Sequence, residues 1–233
     1  MSHDPGQKAP SFAWDVILPE KGAYSSLAAA KPKAVVVYDF DSTAERMQVP
    51  VAVGKRLLKL REQEELDPSS SSELAGAVDD ACLRCAYERL RRLVDRRDYP
   101  CKEAAEKLRL DGYPKSTIEQ SIQAAIMARL LDDDRYADVF IRSKLSQGWG
   151  PRRIQRELTS RGIELSEVRG WPDQYLGDKD DYERAFEVAS TKRLSGKNPY
   201  AKLVRFLCAR GFSTGVSMSV AREICSAEEE QLQ

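Results

Sequence analysis

Three arginines at the start of a predicted helix are the residues best placed in this sequence to bind an anion. Pro151 is followed by Arg152, Arg153 and Arg156. The helix dipole disfavours cations in the first turn by roughly 0.3–1 kcal/mol each, and Arg152 and Arg156 are like charges one turn apart. Charges placed against these two preferences at one spot indicate a functional site. The free backbone N–H groups at the start of the helix would also attract a phosphate or a carboxylate. The alternative is a solvated basic face on which Arg153 pairs with Glu157.

Other residues extend this candidate binding surface. Arg142 and Lys144 lie near the end of the preceding predicted helix and can join it. Trp149 is either an exposed anchor for a partner or a ring packed into the corner between the two helices. A second basic cluster either follows a phosphate backbone or forms a favourably charged helix end. It consists of Arg91, Arg92, Arg96 and Arg97.

One stretch carries a signal for an enzyme. Residues 35–43 (VVVYDFDST) resemble, taken alone, the first motif of haloacid-dehalogenase-type phosphatases. Asp39 would then be the nucleophile and Asp41 the general acid/base, with a magnesium ion. That fold needs a parallel sheet of several further strands alternating with helices, and none is predicted after Val53. A β-hairpin with an Asp-Ser-Thr turn is therefore favoured.

The sequence signals for a metal site or a catalytic triad are weaker than the phosphatase-like motif. Cys82-x-x-Cys85 has the spacing of zinc ligands, but no second pair follows at a suitable distance, so these cysteines are expected in a helical core. The run 132–134 (DDD) is expected to start a helix. His3, the single histidine, cannot plausibly join a catalytic triad. The sequence thus predicts no catalytic residue, no metal site and no cofactor, and a protein that is not an enzyme.

The elements that must position these residues recur along the chain. Three predicted helices begin at a proline: Pro100, Pro151 and Pro199. Each is expected to end at a glycine that enters the left-handed conformation, namely Gly112, Gly162 and Gly211. The glycines are about 50 residues apart, a period that indicates a repeated supersecondary unit. A helix pair cannot bury its apolar stripe alone, so the units should stack.

The middle unit carries a family resemblance. The run Asp132-Asp133-x-Arg135-Tyr136-Ala137-x-x-Phe140, then Gly148-Trp149-Gly150-Pro151, then Ile154-x-x-x-Leu158-x-x-x-Gly162-Ile163, resembles the central signature of RecX-type recombination regulators. The resemblance covers roughly residues 33–225 and is strongest in this middle unit.

The resemblance implies a non-enzymatic protein that binds the RecA recombinase and restrains filament growth on single-stranded DNA. It also implies a fold of three tandem three-helix units and a role in homologous recombination, DNA repair and the SOS response. The alternative among binding proteins is a module that contacts DNA directly, since helix–turn–helix units also read grooves.

The resulting fold prediction is an all-α protein whose three repeats form an elongated curved stack. A disordered tail is predicted for residues 1–32, and a β-hairpin plus short helix for 33–68. The repeats are predicted at 69–131, 132–177 and 178–225, with a frayed acidic tail at 226–233. Gly170-Trp171-Pro172 should shorten or bend the third helix of the second repeat.

Composition sets the remaining expectations. Lys and Arg together number 37, as do Asp and Glu, so the net charge is zero and does not itself suggest a nucleic-acid partner. Five cysteines without a framework spacing favour reduced thiols inside the cell. No run approaches the roughly 20 apolar residues of a membrane span, and no signal peptide is evident. A cytoplasmic monomer is predicted.

Overall fold

The chain is mostly helical, with a small antiparallel sheet near its N-terminus. Its structure, a computed structural model, describes residues 12–20, 31–40, 43–192 and 198–231. The chain divides into two compact units, the first ending at Leu131 and the second beginning at Asp132.

The first unit opens with a three-stranded sheet in the order β1-β2-β3. The strands are β1 (Trp14–Ile17), β2 (Lys33–Phe40) and β3 (Thr43–Pro50). Both neighbouring pairs are antiparallel, with Trp14 opposite Tyr38 and Lys33 opposite Pro50. The predicted hairpin is β2–β3, and β1 adds a strand to its free edge.

The presence of β1 corrects the prediction that residues 1–32 are disordered. Val16 is buried, and Arg61 donates to the Asp15 carboxylate at 2.8 Å while lying 5.3 Å from the Trp14 ring centroid. A four-residue strand has almost no period of its own, and its pairing partner lies some twenty residues further along the chain. Residues 1–11 and 21–30 of the predicted tail lie outside the described part of the chain.

Helix α1 (Val51–Glu62) covers one face of the sheet. Ala34 and Val36 of β2 and Val53 and Leu57 of α1 are all fully buried. Gly54 permits this close packing, because a Cβ built on it would lie 2.6 Å from the Cβ of Ala34. The helix therefore stabilises this small sheet by burying one of its faces.

Three further helices complete the core of the first unit: α2 (Ser71–Val94), α3 (Cys101–Asp111) and α4 (Lys115–Met127). The side chain of Ser70 caps α2 by accepting the N–H of Glu73 at 3.3 Å. The Glu73 carboxylate accepts the Ser69 N–H at 2.8 Å, rather than that of Ser70. The spacing Ser70-x-x-Glu73 predicts a capping box, and the cap at Ser70 is confirmed, although its reciprocal bond shifts by one residue.

The second unit contains two apolar clusters. The first involves α5 (Asp133–Ser146) and α6 (Pro151–Ser160), whose fully buried side chains include Ile141, Ile154 and Leu158. The second involves α8 (Asp181–Ser190), α9 (Pro199–Arg210) and α10 (Thr214–Gln231), with Leu203, Leu207 and Val220 fully buried.

Two segments of the second unit test the helix ends that the sequence predicted. The helix expected after Gly162 is short: a 3₁₀ turn at Leu165–Glu167 is followed by α7 (Asp173–Leu176). The frayed acidic tail predicted from residue 226 is wrong as far as Gln231, because α10 continues to that residue. Ala, Glu and Gln are good helix formers, and the segment contains neither glycine nor proline to stop it.

The three predicted glycine stops share one geometry. Gly112, Gly162 and Gly211 have φ of +91°, +84° and +98°. In each case the next residue donates its N–H to the carbonyl five residues earlier: Tyr113 to Leu108, Ile163 to Leu158, and Phe212 to Leu207, at 3.2, 3.0 and 3.2 Å. These are Schellman caps, in which only glycine takes the left-handed position cheaply.

Candidate functional site

The candidate site is the corner between α5 and α6 (residues 147–153), which the chain builds with local signals. Asp132 caps α5 by accepting the Arg135 N–H at 2.9 Å. After α5, Gly148 adopts φ of +75°, and Trp149 donates its N–H to the Lys144 carbonyl at 3.0 Å. Pro151 then occupies the first position of α6, where no N–H is needed. The corner predicted from sequence is thus formed as a tight turn.

Trp149 lies inside the corner, half-buried, and Arg153 stacks on it. The guanidinium carbon of Arg153 is 3.7 Å from the Trp149 ring centroid, and the edge of the Phe140 ring system meets the indole at 86°. Arg153 also donates from Nη1 to the Ala209 carbonyl at 3.2 Å, near the C-terminal end of α9. Helix C-termini carry partial negative charge, so this arginine has an internal partner. It does not pair with Glu157, whose carboxylate accepts from Arg161 at 2.6 Å.

Two glycines fix the corner against the end of α9. The Gly150 N–H donates to the Arg210 carbonyl at 2.8 Å. A Cβ on Gly150 would lie 2.7 Å from the Gly211 carbonyl carbon, and a Cβ on Gly211 would lie 2.4 Å from the Cβ of Arg153. Sequence reasoning missed this contact, because Gly150 and Gly211 lie about 60 residues apart in the chain.

Arg152 and Arg156 form the exposed part of the predicted anion site. They are one turn apart on α6, and both side chains are exposed. Neither forms an ion pair with an acidic side chain among the residues that the structure describes. We call these two residues the exposed arginine pair. Arg153 lies between them in sequence but is directed toward the interior of the second unit.

Arg142 and Lys144 are engaged within the second unit. Arg142 donates to Asp138 at 2.9 Å and lies 5.1 Å from the Tyr175 ring centroid. Tyr175 also donates to Asp138, at 3.0 Å. Burial and this hydrogen bond both raise the pKa of Tyr175, so the phenol stays protonated at neutral pH. Lys144 donates to Gln147 at 3.1 Å and lies 4.8 Å from the Trp149 ring. Their charges are therefore less available than those of the exposed arginine pair.

The arginines predicted as a second cluster lie at the end of α2 in the first unit and differ among themselves. Arg97 pairs with Glu103 and stacks 3.7 Å from the Tyr99 ring centroid. Arg92 lies 3.9 Å from Glu88, a loose ion pair. Arg91 and Arg96 are exposed and form no ion pair with described acidic residues.

Of the residues weighed for catalysis or metal binding, those that the structure describes lie within a strand or helix or at its end. Asp39 belongs to β2, within a sheet whose described strands pair only antiparallel, and Asp41 and His3 lie outside the described residues. Cys82 and Cys85 are buried in α2, where burial raises the pKa of the Cys82 thiol to about 12. The described residues contain no group of three or more His, Cys, Asp or Glu arranged to hold a metal ion. Among them there is likewise no helix long and apolar enough to cross a membrane.

Comparison with known proteins places these observations in a family. Residues 132–168, which contain the corner, match the family model described as RecX, second three-helix domain. The regulatory protein RecX of Pseudomonas entomophila is 35% identical over 127 residues, covering 52% of this chain and 79% of that protein. The Vibrio parahaemolyticus regulatory protein RecX is 33% identical over the same length, with the same coverage.

A solved structure agrees in fold. The crystal structure of a regulatory protein RecX superimposes with a TM-score of 0.53 at 16% identity, covering 90% of this chain and 98% of that chain. At this identity the match concerns the fold alone. The relatives' identity and coverage, together with the match at the corner, show that the chain belongs to the RecX family.

Proposed function

We propose that this protein is a regulator that binds the RecA recombinase filament and inhibits its ATP hydrolysis and strand exchange. Membership of a family whose relatives are named regulatory proteins supports a regulatory role. RecA as the partner follows from what the sequence signature implies. In this proposal the protein acts as a monomer in the cytoplasm, by binding rather than by catalysis.

The exposed arginine pair is the observation that carries the proposed contact. Like charges one turn apart on a helix cost a few tenths of a kcal/mol, and the first turn adds an unfavourable dipole term at Arg152. Arg153 also lies in the first turn, but its charge is offset within the second unit by the Trp149 ring and the Ala209 carbonyl. Arg152 and Arg156 have no comparable contact with a ring, a carbonyl or a carboxylate among the described residues. An external anion, either an acidic recombinase surface or a DNA phosphate, would supply one.

The proposed mechanism is steric. Under this proposal the three tandem three-helix repeats occupy the helical groove of the filament. The exposed arginine pair faces the filament, and the bound protein blocks subunit addition or strand exchange. The shared cap geometry at Gly112, Gly162 and Gly211 supports the repeated architecture on which this mechanism depends.

The test measures RecA-dependent ATP hydrolysis on single-stranded DNA at increasing concentrations of the protein. We expect Arg152→Ala/Arg156→Ala to raise the concentration needed for half-inhibition by about tenfold or more, since lost charged contacts at an interface cost over a kcal/mol. The matched control is Arg169→Ala/Arg222→Ala, which removes two exposed arginines of the same unit from outside the corner. Equal inhibition by both variants would remove the exposed arginine pair from the mechanism.

Two further measurements distinguish binding to the RecA filament from direct binding to DNA. Co-sedimentation with preformed RecA filaments tests the contact directly, and its absence would contradict the proposal. Fluorescence anisotropy with single-stranded and duplex oligonucleotides, at two salt concentrations and without RecA, tests the DNA-binding alternative. Tight binding that weakens steeply with salt would favour that alternative.

A further inference from the structure

The first unit contains a cavity that the proposed function does not use, although Arg92 of the predicted second arginine cluster is part of its lining. Its volume is about 530 Å³, and it lies beside the N-terminal part of α1, the middle of α2 and the end of α3. Two acidic residues line it, Glu88 and Asp111. Six cationic residues line it as well: Lys31, Lys55, Arg56, Lys59, Arg89 and Arg92.

The cations of this cavity are only partly neutralised. Asp111, whose side chain is 13% exposed, pairs with Lys31 and, at 2.8 Å, with Arg89. Glu88 lies 3.7 Å from Arg56 and 3.9 Å from Arg92, too far for direct hydrogen bonds. Six cations against two carboxylates leave an excess of four positive charges around one cavity.

Two of these cations have no internal role. Lys55 and Lys59 are exposed, lie one turn apart on α1 and pair with no acidic residue that the structure describes. The Nε of Arg56 is enclosed and has no hydrogen-bond partner in the described structure. Lys55 and Lys59 therefore offer donors to a ligand without breaking an existing ion pair.

The rest of the cavity lining consists of the start of helix α1 and an apolar wall. Helix α1 begins beside it, and no side chain caps its first N–H groups. No acidic residue occupies the first turn of α1, so the positive end of the helix dipole is not offset there. Val51, Ala52 and the buried Tyr113 supply apolar wall beside these charges.

We propose that this cavity binds the polyphosphate chain of a nucleoside triphosphate. Its volume falls in the range of small-molecule sites, roughly 300–1,000 Å³. A single carboxylate would neutralise only one of the four excess charges, whereas a triphosphate carries enough charge to match them. The cations converge on one cavity rather than following a line, which suits a compact ligand better than an extended DNA backbone. The site goes beyond the proposed contact with RecA.

The test titrates the full-length protein with the fluorescent nucleotide mant-ATP. We expect saturable binding that Lys55→Glu/Lys59→Glu weakens at least about tenfold, because each reversal replaces an attraction with a repulsion. The matched control is Arg46→Glu/Lys115→Glu, which reverses two exposed charges of the same unit outside the cavity and should change the affinity less than about twofold. Should the reversed variant fail to fold, Lys55→Gln/Lys59→Gln provides the milder change, with at least about threefold weakening expected.

Competition experiments identify the source of the phosphate. Inorganic triphosphate should displace mant-ATP, and a 20-nucleotide oligo(dT) should displace it less well per phosphate. Absence of saturable mant-ATP binding, equal weakening by the control, or binding of oligo(dT) alone would each overturn the proposal. None of these outcomes depends on RecA, so the site can fail independently of the proposed function.

Discussion

Gly150 and Gly211 lie backbone against backbone in the second unit. The contact is closer than any other residue would permit at either position, since added Cβ atoms would approach neighbouring heavy atoms to 2.7 and 2.4 Å. The hydrogen bond from the Gly150 N–H to the Arg210 carbonyl crosses the same contact. The start of α6, the helix that carries the exposed arginine pair, is thereby fixed to the end of α9.

Gly150→Ala should therefore destabilise the second unit. The methyl group has no space, and overpacking of this kind typically costs about 1–3 kcal/mol. Urea unfolding followed by tryptophan fluorescence in a Trp14→Phe background, where Trp149 and Trp171 report on this unit, measures the effect. Gly215→Ala is the matched control, because nothing lies within 4 Å of its Cβ position in α10. An equal effect at both glycines would show that the close contact is unimportant.

Arg152 and Arg153 are adjacent in sequence, but only Arg153 is expected to contribute to the free energy of unfolding. Arg153→Ala removes the stack on Trp149 and the bond to the Ala209 carbonyl, and should lower the free energy of unfolding by about 1–3 kcal/mol. Arg152→Ala removes an exposed side chain and should change it by less than about 0.5 kcal/mol. Denaturant unfolding of each variant, paired with the RecA ATPase assay, separates the two roles. A loss of stability at Arg152 matching that at Arg153 would contradict this division.

Gly54→Ala tests the packing of α1 on the sheet. Alanine normally stabilises a helix relative to glycine by about 1 kcal/mol, but here its methyl group would lie 2.6 Å from the Cβ of Ala34. We expect a net destabilisation of the first unit and faster amide hydrogen exchange in β1 and β2. Gly76→Ala, in α2 with nothing within 4 Å, should show the ordinary stabilisation. Stabilisation by both substitutions would contradict the packing described for Gly54.

Cys82 should be the slowest thiol to react. Burial raises its pKa from 9.0 to about 12, so its thiolate at pH 8 is about a thousandfold rarer than that of an unburied cysteine. Iodoacetamide at pH 8, followed by peptide mass spectrometry, should modify the partly exposed Cys208 well before Cys82. In urea the two rates should converge. Rapid labelling of Cys82 in the native protein would show that its helix opens readily.

The elements that sequence predicted well depend on interactions within a few residues. The caps at Ser70 and Asp132, proline at the start of α6 and α9, and glycine at the end of α3 follow from backbone geometry, which residue type controls directly. The family signature was likewise readable, because it consists of these local signals at fixed spacing.

Sequence alone determined where the helices with proline, glycine or side-chain caps begin or end, and which surface positions carry unfavourable charge. Tertiary structure decided what those residues contact. It paired Trp14–Ile17 with a strand beyond residue 30, placed Arg153 on Trp149, and brought Gly150 against Gly211. Residues far apart in the chain meet only when the packed core brings them together, and no local propensity encodes that distance.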